Sequence, residues 1–280
     1  MQKLTIDEAL RGGALPAIEL RILLAHALDV DHAHLIAHGR DTLGDEARAH
    51  FDALCARRLA GEPVAYLTGM REFYGVQFEV SPAVLIPRPE TEVLVDLALE
   101  RIQLDRIDRI LDLGTGSGCI ALSIVMNRPL ARVTATEVSA AALAVARDNA
   151  RRLDADLELR ESDWYSRLGG ERFDLIVSNP PYVAAGDPHL SAGDLRFEPE
   201  LALTDGSAGL ASIEKIVAGA PAHLAPQGWL LFEHGYDQAA AARDRLAAAG
   251  FRSIRSWRDL AGIERVSGGR IGNGLRGSDA

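Results

Sequence analysis

Cysteine is scarce in this sequence: Cys55 and Cys119 are the only two in 280 residues. Two cysteines do not build a disulfide framework, so the default compartment is a reducing one, the cytoplasm. Long apolar runs are missing too. No stretch approaches the roughly 20 residues of a membrane-spanning helix, and Asp7, Glu8 and Arg11 interrupt the N-terminus. The start also lacks the charged segment and apolar core of a secretory leader, so no membrane partner is expected. Lysine occurs only at Lys3 and Lys215, the arginines are scattered among acids, and the formal net charge is −10. General nucleic-acid binding relies on clustered cations that displace condensed counterions, so no direct nucleic-acid partner is expected. A local basic face stays compatible with this charge, which does not describe distribution. What is present is a hydrophobic fraction of 48%, enough for a full core.

The first part of the chain reads as helices. Thr5 and Glu8 have capping-box spacing before Ala9 and Leu10, and Gly12-Gly13 ends that helix. Pro16 opens a second, carrying Ile18, Ile22, Leu24 and Leu28. A third apolar stretch lies near Leu35 and Ile36. A fourth helix is expected from Asp45 to Ala60, with Phe51, Leu54 and Leu59 inward and Gly61 as its stop. After Gly69 the pattern changes. Phe73-Tyr74-Gly75 followed by Val76, Phe78 and Val80 has period two, the mark of a hairpin, and Pro82, Pro87 and Pro89 punctuate the next segment. From Glu90 on, helical and buried-strand segments alternate. Strands are expected at 109–113, 133–136, 157–159, 173–177, 229–232 and 251–257. Helices are expected at 90–100, 119–127, from the Ser139 cap towards Arg151, at 213–223 and at 238–249. Such alternation gives an α/β fold, a mostly parallel sheet with helices on both faces, whose ligands sit at the carboxyl ends of the strands. The Gly-rich tail after Arg270 reads as frayed.

Asp112-Leu113-Gly114-Thr115-Gly116-Ser117-Gly118 lies between the first strand of this series and its helix. Its glycines allow a tight bend and close approach of backbone to a ligand. A dinucleotide fingerprint would place its third glycine where Cys119 stands, so that reading fits poorly. Glu137 ends the next strand. An acid there accepts hydrogen bonds from ribose hydroxyls; alone it could equally be a charge at a helix N-terminus, since Ser139 comes two residues later. Asp163-Trp164 comes after the third strand, where an acid suits an adenine amine and an aromatic suits its ring. Core packing accounts for Trp164 as well.

Asn179-Pro180-Pro181-Tyr182 comes directly after a buried strand. The prolines stiffen the backbone and leave only carbonyl acceptors; Asn179 adds a side-chain carbonyl. Together they suit the two protons of a planar NH2 group, and Tyr182 suits its flat face. An amide nitrogen is a poor nucleophile because its lone pair is delocalised. Acceptors on its two hydrogens, off the amide plane, favour a lone pair aimed at a sulfonium methyl. The run lacks a carboxylate; Asp in place of Asn179 would suit a more basic or ring-conjugated amine. These four residues alone do not choose between an amide and an adenine.

With these features the chain resembles the bacterial release-factor glutamine methyltransferases. The resemblance covers nearly the whole sequence. It is carried by Gly61-Glu62-Pro63-Val64-Ala65-Tyr66-Leu67-Thr68-Gly69, Ile86-Pro87-Arg88-Pro89-Glu90-Thr91-Glu92, Leu111 to Gly118, Asn179 to Tyr182, Arg196-Phe197-Glu198-Pro199 and Glu233-His234-Gly235. It implies a helical substrate-recognition domain at 1–72, a β-hairpin linker at 73–87, a Rossmann-like class I methyltransferase domain with a seven-stranded sheet at 88–275, and a flexible tail at 276–280. It implies methyl transfer from S-adenosylmethionine to the glutamine of the Gly-Gly-Gln motif of class I peptide release factors, with no metal. By motif match, Gly114, Thr115, Gly116, Ser117 and Gly118 line the cofactor's methionine end. Glu137, where the family often has Asp, would hold the ribose, and Asp163 and Trp164 the adenine region. Asn179 would meet both cofactor and substrate amide, with Pro180, Pro181 and Tyr182 completing the catalytic run. Arg88 and Glu198 would shape the substrate pocket, or form a structural ion pair.

Three other readings compete. An adenine-specific nucleic-acid methyltransferase is opposed by the acidic balance and by the lack of a base-recognition domain. A cofactor-binding assembly factor without chemistry is opposed by the intact Asn-Pro-Pro-Tyr run. An NAD oxidoreductase is opposed by Cys119 and by the lack of a hydride-transfer site.

Overall fold

Thr5 opens the first helix as its spacing requires. Its hydroxyl accepts from the Glu8 N–H at 3.2 Å, and the Glu8 carboxylate accepts from the Thr5 N–H at 2.9 Å, so two orphan donors are satisfied reciprocally. The computed structural model describes residues 4–272, so most of the expected frayed tail, including 276–280, lies outside the described residues. The helices α1 (Ile6–Arg11), α2 (Ala17–Leu28), α3 (His32–Ala37), α4 (Asp45–Leu59) and α5 (Val64–Thr68) come in order. They bury Leu20, Leu23, Leu24, Leu35, Phe51 and Leu54 against one another, each such side chain contributing about 1.5–3 kcal/mol.

One expectation for these helices needs correction. Leu59 is 59% exposed, because it lies about 110° round α4 from the Phe51–Leu54 stripe. Arg58 takes the inward position instead and donates to Glu19 at 2.8 Å. On α2, Ile18 and Ile22 are exposed while Leu20 and Leu23 turn inward. Met1–Met70 together with Ser191–Phe197 form one unit, and Arg71–Leu190 with Glu198–Ala280 the other. In the first unit Asp194 meets Arg58 at 2.9 Å.

The second unit begins with the hairpin β1 (Met70–Phe73) and β2 (Val76–Glu79). Asn149, fully buried, ties β2 down: its Oδ1 accepts from Glu79 N at 2.7 Å and its Nδ2 donates to Glu79 O at 2.9 Å. A 3-10 turn over Pro89–Thr91 precedes α6 (Glu92–Leu99), so the expected helix at 90–100 begins with a tighter turn. Then come β3 (Arg109–Leu113), α7 (Cys119–Asn127), β4 (Arg132–Glu137), α8 (Ala140–Arg152), β5 (Glu158–Glu161), β6 (Phe173–Ser178), the short α9 (Glu200–Leu203), α10 (Ala211–His223), β7 (Leu224–Glu233), α11 (Ala239–Ala248), β8 (Phe251–Arg258) and β9 (Glu264–Ile271).

The other seven strands form one sheet in the order β5-β4-β3-β6-β7-β9-β8. Neighbours from β5 to β7 pair parallel, and β9 pairs antiparallel with both β7 and β8, so six of the seven strands point the same way. Helices cover both faces. Leu94, Leu97, Ile120 and Ile124 pack on one side with Phe73 and Phe78 of the hairpin. Ile213, Ile216, Val217, Ala242 and Leu246 pack on the other. The expected α/β architecture is thus present. β9, however, is not among the strands expected from the sequence. Its interior Gly268-Gly269 pair argues against a strand, yet a Cβ on Gly268 would lie 2.5 Å from the Leu230 carbonyl oxygen. The glycine is what lets β9 slot in beside β7. Successive strands β3 and β4 lie on one side of the β3–β6 boundary and β6 and β7 on the other, which makes that boundary the topological switch point, where such sheets bind ligands.

Candidate active site

β3 ends at Leu113 and the chain turns at once through Gly114 to Gly118 into α7. Gly114 and Gly118 have φ of +71° and +84°, a region that L side chains avoid. A Cβ on Gly118 would also press on the Leu122 side chain at 3.0 Å. The Gly114 and Thr115 N–H groups both donate to the Thr136 carbonyl, at 2.9 and 3.0 Å, which clamps the loop to β4. Beneath it, buried Asp112 accepts from the Thr115 hydroxyl at 2.6 Å. Burial pushes this carboxyl up to about 7.

Glu137 ends β4 beside the loop and is 8% exposed. Its Oε2 accepts from Gly116 N and its Oε1 from Ser139 N, both at 3.0 Å. The carboxylate therefore braces the glycine loop and the start of α8 together. With about four acceptor sites in all, it retains capacity for two further donors. On the far side of β3, the Ser178 hydroxyl donates to Leu113 O at 2.7 Å, which locks the end of β6 level with the end of β3. The chain leaves this lock as Asn179-Pro180-Pro181-Tyr182.

One cavity of about 680 Å³ joins these pieces. Gly114, Thr115, Gly116 and Ser117 line it from the loop, and Glu137 from β4. Asp163 and Trp164 line it from beyond β5, and Arg88, Asn179 and Pro181 from the remaining side. Trp164 packs on the buried cluster around Leu111 and Leu113 as well as lining the cavity. Four expected site residues are not among the lining ones. Gly118 is turned towards α7 and α8, Pro180 is buried, and Glu198 lies buried under Arg88, with which it forms an ion pair while also accepting from Ile86 N at 3.0 Å. The fourth is Tyr182, whose hydroxyl donates to Glu233 at 3.1 Å.

Two polar residues without a role in the sequence reading meet at Asn179. Asn179 Nδ2 donates to the Thr91 hydroxyl at 3.1 Å, and that hydroxyl donates to Glu233 Oε2 at 2.7 Å. Thr91 also lines the cavity. Glu233, at the end of β7, is 1% exposed. Burial raises its carboxyl to about 7, against the lowering effect of the Thr91 and Tyr182 hydrogen bonds and of Arg265. A polar residue closing the apolar Trp229–Phe232 strand was the available signal. The cavity continues past Glu200, Asp205 and Lys215, which no motif pointed to. Among the described residues, no helix is long and apolar enough to cross a membrane.

Known proteins share both the sequence pattern and the fold. The family described as methyltransferase small domain matches residues 91–195, and the one described as PrmC N-terminal domain matches residues 7–69. A release factor glutamine methyltransferase of Burkholderia pseudomallei (strain K96243) is 57% identical over 274 residues, covering 95% of this chain and 96% of that protein. One of Bordetella pertussis (strain Tohama I) is 53% identical over 267 residues, covering 95% and 99%. The crystal structure of a methyltransferase from Pyrococcus furiosus shares the fold at a TM-score of 0.55 and 22% identity, covering 78% of this chain and 97% of its own.

Proposed function

The chain belongs to the release factor glutamine methyltransferase family, and from that premise we propose that it methylates the side-chain amide nitrogen of the glutamine in the Gly-Gly-Gln motif of class I peptide release factors. The methyl donor is S-adenosylmethionine, and the products are N5-methylglutamine and S-adenosylhomocysteine. The observation that carries this reading is the shared cavity at the switch point, which has the braced glycine loop on one side and Asn179 and Pro181 on the other.

The cavity fits the donor. Its volume lies within the range of about 300–1,000 Å³ usual for small-molecule sites. At Gly114 and Gly116 the loop offers bare backbone to the cavity, and Glu137 has spare acceptor capacity for vicinal hydroxyls. Gly114 to Gly118 are assigned to the amino-acid end, Glu137 to the ribose, and Asp163 and Trp164 to the adenine. When bound, the donor supplies a methyl carbon on a sulfonium, and transfer to nitrogen leaves the electron pair on sulfur as a thioether.

This chain's own residues do the rest. Asn179 Oδ1 accepts one N–H of the substrate amide, and the rigid proline backbone accepts the other. Both acceptors are fixed before the substrate arrives, so the nitrogen is held in line without reorganisation. No strong base is needed ahead of attack, because the methylated cationic amide is very acidic and releases its proton readily. Pro180 and Pro181 stiffen the run, and Tyr182 borders it. Arg88, held by Glu198, borders the acceptor side of the cavity. Residues 1–72 serve recognition of the release factor, 73–87 link, and 88–275 carry the chemistry. Such a substrate places the reaction in the cytoplasm.

The test is transfer of labelled methyl from S-adenosylmethionine, with purified release factor and with adenine-containing nucleic acid as alternative acceptors. Label on the release factor alone is expected. Label on adenine, with none on the release factor, would overturn the reading.

A further inference from the structure

The amide of Asn179 has two ends of similar shape and opposite hydrogen-bonding character, and only one orientation serves an N–H substrate. We infer that Glu233, acting through the Thr91 hydroxyl, is a positioning residue that selects this orientation and so keeps Asn179 Oδ1 available to the acceptor amide. The inference rests on the role proposed for Asn179.

Donor and acceptor requirements propagate from Glu233 to Asn179. An ionised carboxylate only accepts. Glu233 Oε1 accepts from the Tyr182 hydroxyl and Oε2 from the Thr91 hydroxyl. Having spent its one proton on Glu233, Thr91 Oγ1 faces Asn179 only as an acceptor. Asn179 must therefore present Nδ2, which it does at 3.1 Å. Its Oδ1 is then the end left without a partner among the described residues, on a side chain that lines the cavity. Reversing the amide would set a carbonyl oxygen against a hydroxyl oxygen with no proton between them, an arrangement that buried groups do not tolerate.

Protonation of Glu233 undoes this selection. A proton on Glu233 Oε2 would donate to Thr91, the Thr91 hydroxyl would turn to donate to Asn179, and the amide would reverse. Its NH2 would then meet the substrate's NH2. Glu233 is placed to titrate: burial raises its carboxyl to about 7. Of the charged groups facing it, Arg265 on β9 favours the ionised form and Glu90 opposes it. Tyr182 and Cys119 also face it, and burial keeps both protonated by raising them well above their usual range. His234, the next residue in the chain, is buried and lowered by desolvation.

Three variants of the full chain test this: Glu233→Gln, Thr91→Val and Thr91→Ser, each checked for folding by circular dichroism. In Glu233→Gln the new amide can donate to Thr91, which reverses the relay without removing it. In Thr91→Val the relay is cut, and in Thr91→Ser it is kept. Loss of kcat by about 10- to 100-fold is expected in the first two, with cofactor Kd unchanged and Thr91→Ser near wild type. The acid limb of the wild-type kcat–pH profile should disappear in Thr91→Val. A second readout needs no turnover: the side-chain NH2 signals of Asn179, identified by their loss in Asn179→Asp, are tracked by nuclear magnetic resonance from about pH 5.5 to about pH 8.5, a window spanning the raised carboxyl. They should titrate in the wild type and in Thr91→Ser, and stay flat in Thr91→Val and Glu233→Gln. Wild-type kcat in Thr91→Val, or identical Asn179 titrations in wild type and Thr91→Val, would overturn the inference. Absence of release-factor methylation by the wild type would instead remove the proposed function, and the Asn179 titration would still judge the relay.

Discussion

Glu137→Ala separates a ligand-holding role from a loop-bracing one. In the folded chain Glu137 accepts from Gly116 N and Ser139 N, both at 3.0 Å. Alanine removes both bonds, so those N–H groups turn to water in the open cavity, and the variant should lose some stability even without ligand. The cofactor effect comes on top. A hydrogen bond from a ribose hydroxyl to a charged acceptor contributes about 1.5–3 kcal/mol, which corresponds to a Kd raised about 10- to 150-fold. Calorimetric titration with S-adenosylhomocysteine reads this directly, while a melting scan without ligand reads the loop cost separately. Glu137→Asp, one methylene shorter, should recover part of the affinity. Unchanged Kd in Glu137→Ala, with only the melting temperature lowered, would show that the carboxylate braces the loop and never touches the ribose.

Asn179→Ala should reduce kcat by about 100-fold or more while changing cofactor Kd little; equal losses in both would contradict an acceptor-directed role. Gly268→Val should unfold or severely destabilise the sheet, since its side chain would start 2.5 Å from the Leu230 carbonyl oxygen; a melting temperature close to wild type would refute the packing explanation. Stability should also respond to pH through Asp112. Burial raises this carboxyl from 3.8 to about 7, so the fold favours the protonated form. Its contribution is complete below about pH 4 and is lost as pH rises through about 7. Asp112→Asn cannot ionise, so its stability relative to wild type should improve by an amount of order 2–4 kcal/mol between about pH 4 and about pH 8; a difference that stays constant with pH would sink this assignment.

What the sequence revealed and what it withheld divide along contact distance. The glycine loop, Glu137 and the Asn179 run each sit where an apolar strand stops, so local pattern located them and the α/β alternation set them at one end of a sheet. The partners of Asn179 are different. Thr91 lies 88 residues from Asn179, and Glu233 lies 142 residues from Thr91, and a single sequence does not say which distant polar groups meet. β9 is hidden for a related reason: Gly268 and Gly269 look like a turn until the neighbouring β7 backbone is present to require them. Leu59 shows the reverse error, an apolar residue assumed inward although Arg58 holds the inward position through its pair with Glu19. Arg88 and Glu198 read in the sequence either as pocket residues or as an ion pair. The ion pair is present, and Arg88 alone of the two lines the cavity.

The central claim is a planar amide nitrogen held by Asn179 and its proline run. Its most direct test is fragment-ion mass spectrometry on the Gly-Gly-Gln peptide of a release factor incubated with this protein and S-adenosylmethionine, compared with the same incubation using Asn179→Ala. One methyl group on the glutamine side-chain nitrogen, nearly absent with the variant, is the expected result. A methyl group on any other atom, or equal methylation by Asn179→Ala, would contradict it.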